Sequence, residues 1–197
     1  MSLLDVPVGQ LAAVVTYLEM NQRPDELAIP HSPLTLVRIH PAPHDYRTLF
    51  RAVGAPWLWF SRLIMRDSQL RAIIDHPAVE LFEVRDGEET VGMLELDRRG
   101  PGACELSYVG LIPAYAGQGH GRWLLAETLS RAWTEITDRV HVHTCSLDHP
   151  AALTAYRRAG FIAIERKVEI FLDPRLAGIL PLDSAPHIPL VGRPLAS

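Results

Sequence analysis

The chain has 197 residues, and its formal net charge of -4 provides no broad positive field for nucleic acid. Hydrophobic residues make up 48% and charged residues 21%, an ordinary globular composition, and the length suits one domain with its own core. No apolar run is long enough to span a bilayer, and the first residues lack a signal-peptide pattern, so we expect no membrane partner. Cys104 and Cys145 form no disulfide framework, which favours a reducing, cytoplasmic compartment.

The first predicted elements are a strand, a linker and two helices. Residues 13–20 are rich in β-branched side chains and are predicted to be extended, with a short helix as the alternative, and 21–33 read as a linker. Residues 34–40 alternate as a strand does. Two helices are predicted over 45–53 and 58–74, the second ending before a His-Pro pair.

A hairpin and a third strand come next. Residues 79–85 and 90–97 are predicted strands that flank an Asp-Gly turn, and 103–112 form the following strand. A helix is predicted over 119–136, because its apolar residues recur on one face. That stripe comprises Leu124, Leu125, Leu129, Ala132, Trp133 and Ile136.

The last predicted elements complete an α/β (α+β) pattern. Residues 140–147 are a predicted strand and 150–159 a helix, with proline at its start and glycine just past its end. Residues 161–164 and 167–172 are predicted as two final strands.

We therefore expect three regions: an N-terminal extension and linker over 1–33, one domain over 34–173, and a proline-rich tail over 174–197. Proline excludes helix continuation and central strands, so the tail is expected to wrap the domain or pack on a partner, with disorder as the alternative for its last residues.

A glycine loop separates the strand predicted over 103–112 from the helix predicted over 119–136. Gly117, Gly119 and Gly121 alternate there, so the backbone can bend sharply and approach a ligand closely. Unpaired amides at the helix start, together with the helix dipole, suit a phosphate or pyrophosphate; a flexible turn is the alternative. The spacing G-x-G-x-G differs from the dinucleotide fingerprint, and no lysine makes it a P-loop.

Two motifs resemble those of the GNAT superfamily of acyl-CoA N-acyltransferases, in its bacterial type. The family's Q/R-x-x-G-x-G/A pattern matches here at Gly119 and Gly121, with Ala116 replacing the usual Gln or Arg. The family's N-x-x-A-x-x-L-Y-x-x-x-G-F pattern is matched further along the chain, with His and Ala replacing the Asn and Leu. Its matching residues are Ala152, Tyr156, Gly160 and Phe161. The resemblance covers about residues 34–172.

The resemblance implies a mixed sheet of about seven strands, splayed in the middle and flanked by about four helices. It implies acetyl-CoA as co-substrate and transfer of the acetyl group to a primary amine by direct attack in a ternary complex. The backbone amides of Val109 and Leu111 would face the thioester and pantetheine. The glycine loop, with Gly117, Gly119, Gly121 and Arg122, would hold the pyrophosphate.

Tyr156 and Glu105 are the candidate catalytic residues that the resemblance implies. Tyr156 would protonate the leaving thiolate, and a helix tyrosine packed in the core is the alternative. Glu105 would act as the general base, against a surface glutamate paired with a neighbour; water and backbone carbonyls are a further route. Arg122 at a helix start favours a bound anion or simply faces solvent.

Other residues carry weaker hypotheses. His141, His143 and Cys145 alternate on one strand and could imitate metal ligands, but ligands from a single strand rarely converge, so we expect strand packing and no metal. Trp57 and its aromatic neighbours suit an acceptor site or the core.

The partner is expected to be a small-molecule or peptide amine. A homodimer built through residues 11–20 and the tail is a further hypothesis. A non-catalytic acyl-CoA-binding module, suggested by the departure at Ala116, is the alternative function.

Overall fold

A single mixed sheet of seven strands runs through the molecule. The computed structural model describes residues 3–25 and 28–193. The strand order is β2-β3-β4-β5-β6-β1-β7. The strands are β1 (Gln10–Met20), β2 (Thr35–Ile39), β3 (Val79–Asp86), β4 (Glu89–Asp97), β5 (Ala103–Leu111), β6 (Arg139–Cys145) and β7 (Ile162–Leu172).

Four α-helices cover the sheet from both sides in the part of the chain that the structure describes. They are α1 (Pro43–Gly54), α2 (Asp67–Ile74), α3 (His120–Ala132) and α4 (Ala152–Arg158). Successive side chains of a strand point to opposite faces of the sheet. Leu81 and Met93 therefore pack with α1 and α2 on one face, whereas Phe82 and Leu94 face the core beneath α3 and α4 on the other. No described helix has the length and apolar character needed to cross a membrane.

The sheet opens between β5 and β6. These strands are parallel, and they pair only where Ala103, Cys104 and Glu105 lie opposite Arg139, Val140 and His141. Beyond Glu105 the two strands continue without pairing, so a gap opens between them. The seven-stranded mixed sheet, the gap and the four helices confirm the predicted fold.

The N-terminal strand lies inside this sheet rather than outside the domain. β1 is antiparallel to β6 on one side and to β7 on the other. Its residues Ala13, Val15, Leu18 and Met20 are buried. The extended structure expected over 13–20 is correct, and the sheet includes residues well before the domain start expected at 34. This strand pairs within its own chain, whereas the sequence suggested that it could add to a partner.

The helix predicted over 58–74 is wrong in its first half. A 3₁₀ turn, Ala55–Trp57, precedes Leu58, which has a left-handed φ of 56°, and the helix begins only at Asp67. Tertiary packing places this loop instead, burying Leu58 and half-burying Trp59. Trp59, for example, packs on Phe50 and Tyr108.

Two other boundaries differ. The helix predicted over 119–136 ends at Ala132, because Trp133 is extended, and Ile136 is 78% exposed rather than part of the buried stripe. The two strands predicted over 161–164 and 167–172 form one strand, β7. A bulge in the β1–β7 register absorbs one residue between them.

The described part of the tail, residues 174–193, folds back on its own chain. Arg175 and Asp173 form a buried ion pair, with Nη2 2.7 Å from Oδ2. Arg175 Nη1 also donates to the backbone carbonyls of Ser184, Ala185 and Ile188. These bonds satisfy a charge that burial would otherwise make costly. Leu180 and Ala185 of this segment also pack with Leu58 and Leu11, so the described part of the tail lies against the domain.

Candidate active site

Two backbone amides of β5 face the gap. The N–H of Ile112 donates to the Val91 carbonyl of β4, at 2.9 Å. Successive N–H groups of an extended strand point to opposite edges, so those of Val109 and Leu111 point away from β4 and towards the gap. The geometry thus leaves these two donors on the open side of β5.

The glycine loop continues directly from this strand. A 3₁₀ turn, Pro113–Tyr115, leads to Gly117 at φ 77° and to Gly119 at φ 87°, which caps α3. Only glycine adopts these angles without strain. A Cβ atom placed on Gly117, Gly119 or Gly121 would meet nothing within 4 Å. The first-turn amides of α3 therefore face open space, which suits an anion.

Neighbouring side chains fix the loop in place. The Tyr115 hydroxyl donates to Asp86 at 2.9 Å, and this bond raises the pKa of the phenol. Gln118 Nε2 donates back to the Ala114 carbonyl at 2.6 Å. Arg122 is exposed in the first turn of α3, where no acidic side chain competes for it.

Glu105 contacts His143 where β5 and β6 begin to separate. The Glu105 carboxylate lies 3.4 Å from His143 Nδ1, and both side chains are partly exposed. The hydrogen bond from His143 lowers the pKa of Glu105, and the same bond raises the pKa of His143 above its ordinary 6.5. The two shifts agree in sign, as expected of one coupled pair.

The sequence pattern did not predict this pairing. It indicated that His143, together with His141 and Cys145, packs along the strand or imitates a metal ligand. The contact depends on the register of two parallel strands, which local pattern does not reveal. No three His, Cys, Asp or Glu side chains lie close enough to hold a metal ion within residues 3–25 and 28–193.

Tyr156 lies on α4 with its ring in the core. Its ring packs edge-on against Phe161, with the centroids 5.7 Å apart. Burial, followed by the negative charge of Asp148, raises the pKa of Tyr156 well above its ordinary 10. A phenol whose pKa is raised in this way holds its proton more tightly than a free tyrosine does.

Asp148 links the end of β6 to the loop between α1 and α2. Its carboxylate accepts hydrogen bonds from Trp59 Nε1 at 3.0 Å, from Thr144 Oγ1 at 2.8 Å and from the Cys145 N–H at 2.7 Å. These bonds place an aromatic wall beside the end of β6. Trp57 extends this wall, with its ring between His149 and His187.

A buried ionic cluster lies next to these aromatic residues. Glu95 is fully buried and accepts a hydrogen bond from Arg62 Nη2 at 2.6 Å and a short one from the Tyr46 hydroxyl. Arg62 also lies over the Tyr108 ring, 5.2 Å from its centroid. Burial opposes the charge on Arg62, but the neighbouring Glu95 raises its pKa, so the guanidinium stays charged.

An open cleft of about 600 Å³ lies elsewhere. It is lined by Arg38, Arg98, Arg131 and Glu135, among others, and lies at the C-terminal end of α3. The glycine loop is at the other end of that helix, about 20 Å away for 13 residues. Because Arg98 is already bound to Glu80 and Arg131 to Glu127, we do not assign the reaction to this cleft.

Comparison with known structures returns the same fold. A conserved protein of unknown function from Staphylococcus epidermidis matches with TM-score 0.58 and 15% identity, over 84% of this chain and 63% of its own. A GCN5-related N-acetyltransferase from Sphaerobacter thermophilus matches with TM-score 0.57 and 20% identity, over 84% and 52%. One from Kribbella flavida matches with TM-score 0.53 and 19% identity, over 84% and 60%. This chain therefore spans less than two thirds of the length of each.

A family model gives the assignment. No curated protein matches the chain. The model of the acetyltransferase (GNAT) family matches residues 44–161, more than half of the 197 residues. That range includes the gap, the glycine loop, the Glu105–His143 pair and Tyr156. This chain belongs to the GNAT acetyltransferase family.

Proposed function

We propose that this protein is an acetyl-CoA-dependent N-acetyltransferase that acts on a small-molecule or peptide primary amine. Membership of the family supports acyl transfer in general. The observation that carries the finer proposal is the gap between β5 and β6, which has free amides on one side and the Glu105–His143 pair at its closed end. A reacting carbonyl in that gap would lie close to both donors and a base.

The residues around the gap suit acetyl-CoA, which supplies an acyl carbon activated as a thioester. The N–H groups of Val109 and Leu111 would donate to the thioester oxygen and the pantetheine. The loop glycines leave open space above the first amides of α3, which would receive the pyrophosphate, with Arg122 beside it. These are mainly backbone contacts, so the replacement at Ala116 removes one side chain and leaves the amides in place.

The Glu105–His143 pair is the candidate base. An amine must lose a proton to attack the thioester, and a base works best when its pKa lies near the working pH. The contact with Glu105 raises the pKa of His143 and so makes its imidazole a stronger proton acceptor, while the lowered pKa of Glu105 keeps that carboxylate ionised to stabilise the imidazolium that forms. We therefore assign proton acceptance to the pair, with Glu105 in contact with the imidazole.

Tyr156 would act on the leaving sulfur as a hydrogen-bond donor. Its raised pKa keeps the hydroxyl protonated. Full transfer of its proton to a thiolate, whose conjugate acid has a pKa of about 8.5, would be unfavourable. A hydrogen bond from the phenol still lowers the energy of the departing thiolate, and the final proton comes from solvent.

Direct attack by the amine is favoured over an acyl-cysteine intermediate. Burial raises the pKa of the Cys104 and Cys145 thiols to about 11, which leaves little thiolate at neutral pH. Neither residue is therefore prepared as a nucleophile.

Release of free thiol from acetyl-CoA with a panel of amines tests the proposal. We expect thiol release that depends on the amine and falls about 100-fold in Tyr156→Phe and in His143→Ala. Binding of CoA with no thiol release from any acceptor would instead favour a non-catalytic acyl-CoA-binding module. A melting temperature that acetyl-CoA leaves unchanged would contradict both functions.

A substitution in the glycine loop tests the pyrophosphate site separately. Gly121→Val adds a side chain into open space at an ordinary helical φ, so the fold should tolerate it. We expect CoA affinity to fall at least about tenfold, since the side chain would occupy the space above the amides. Ala72→Val, at an exposed position of α2 on the opposite side of the sheet, is the matched control.

A further inference from the structure

The outer strand β7 is exposed along nearly its whole length. It ends the sheet order and, among the described residues, pairs only with β1. Val168 is 60% exposed, Ile170 45% and Leu172 41%, and Val14 of β1 lies opposite Val168 on the same face. A long edge strand with an apolar face is a site for pairing with another chain.

The other edge strand of the sheet, β2, is poorly suited to pairing with another chain. β2 has five residues and is flanked by Pro33 and Pro41. Proline removes a backbone donor, and a short edge strand gives little surface for pairing. The described part of the tail, residues 174–193, leaves β7 exposed as well and passes beside the start of β1, where the Gly9 N–H donates to the Val191 carbonyl.

The backbone of β7 presents a defined set of free groups. The N–H of Asp173 donates to the Gly9 carbonyl, on the side of β1. Alternation along the strand then directs the N–H and C=O groups of Arg166, Val168 and Ile170 outwards. An antiparallel partner would therefore bond to these residues.

We propose that β7 pairs with β7 of a second copy of this chain, antiparallel and centred on Val168. In this register Val168 lies opposite its own equivalent, and Arg166 lies opposite Ile170 of the partner subunit. Lys167 lies opposite Glu169 of the partner subunit, and the two-fold axis repeats this pair. Opposite charges directly across an antiparallel pair are stabilising, and the apolar patches of the two copies become continuous.

The neighbouring registers are worse. Centring the pair on Lys167 would place the two Lys167 side chains together and Glu165 opposite Glu169. Centring it on Arg166 would place the two arginines together and would bring the bulge near Ile164 into the ladder. Like charges directly opposite each other are destabilising, so the charge order of β7 favours the pair centred on Val168 over these two registers.

Charge exchange tests this register. Sedimentation or light scattering of the full chain should give about twice the 21.9 kDa monomer mass. Lys167→Glu or Glu169→Lys alone creates like-charged pairs, so each should weaken dimerisation about tenfold or more. The double variant K167E/E169K restores opposite charges and should recover the dimer. Arg51→Glu, an equal charge reversal at an exposed position of α1, should have no effect.

Three results would overturn the proposal: a monomeric wild-type protein, a dimer that neither single reversal weakens, or a double variant that fails to recover. Val168→Pro gives a second measurement: it removes an outward N–H that makes no bond within residues 3–25 and 28–193, so the variant should be monomeric. Far-ultraviolet circular dichroism should be unchanged for every variant, since the altered side chains are exposed.

Discussion

β4 and β7 are strands of similar length in the same sheet, and they treat polar side chains in opposite ways. β4 lies between helices on both faces, and its residues from Val91 to Asp97 are buried. Its central charge, Glu95, is held by Tyr46 and Arg62. β7 has no helix over most of its surface, and its charges face solvent. The layers around a strand, rather than its own sequence, decide whether a charge must be paired.

Removing the buried charge of β4 should give the largest loss of folding stability. Glu95→Ala leaves the Arg62 guanidinium buried without its carboxylate, which costs about 3–5 kcal/mol. Denaturant unfolding would measure the loss. Glu165→Ala on β7 removes an exposed partner of Lys167 and should change stability by less than about 0.5 kcal/mol. Equal losses in the two variants would break the contrast between the strands.

The tail contains a second buried charge, beside the end of β7. Arg175→Ala would leave Asp173 without its partner and three carbonyls without a donor, so we expect a loss of about 3 kcal/mol. Thermal or denaturant unfolding would measure it. Arg193→Ala, at an exposed position of the same tail, is the control. A negligible loss in Arg175→Ala would mean that the tail contributes little to the exposed half of the sheet.

Packing around β4 gives a smaller effect. A Cβ atom on Gly92 would lie 2.5 Å from the Gly110 carbonyl oxygen and 2.7 Å from Leu111 Cδ2. Gly92→Ala should therefore cost about 1–3 kcal/mol through overpacking. Ala163→Val, at an exposed position of β7, should be tolerated within about 0.5 kcal/mol. Tolerance of both changes would show that β5 can shift to accommodate a larger residue.

The smallest effect is expected for the Glu105–His143 pair, on strands that lie between β4 and β7 in the sheet. Glu105→Gln removes the charge that raises the pKa of His143, so that pKa should fall, and the acid limb of the activity profile should move to lower pH. Proton NMR titration of His143 would measure the shift. Glu19→Gln, on the same face of the sheet, is the control. An unchanged titration in Glu105→Gln would rule out the coupling.

The same pair affects stability with a defined sign. The raised pKa of His143 contributes stability below its ordinary value of 6.5, and this contribution is lost as pH rises through the folded value. The lowered pKa of Glu105 contributes above its ordinary 4.5 and is lost as pH falls through the folded value. Glu105→Gln should therefore lose most stability between these two limits.

Local patterns predicted the parts of the site that depend on neighbours in sequence. The glycine loop, the Asp86-Gly87 hairpin and the α4 segment with Tyr156 all follow from residues within a few positions of each other. The false helical start at 58 has a local cause as well. Its apolar residues fit a helix, but Leu58 is buried and Trp59 half-buried against distant partners, and tertiary packing overrides propensity.

Features that depend on register could not be predicted. His143 meets Glu105 only because two parallel strands align over three residues before they separate. The position of β1 between β6 and β7 depends on partners 120 or more residues away in sequence. The alternating apolar residues of β1 indicate a strand, but they carry no information about which strands will flank it.

The inner position of β1 also orders the events of folding. Within this domain β1 precedes every other strand in sequence, yet its two neighbours, β6 and β7, are the last strands of the sheet. Its apolar side chains therefore remain without their sheet partners until β6 and β7 are available. Contacts so distant in sequence slow folding, and the unpaired strand must avoid other chains during that interval. We expect the second half of the sheet to close late in the folding of the domain, in a step that is sensitive to chaperones.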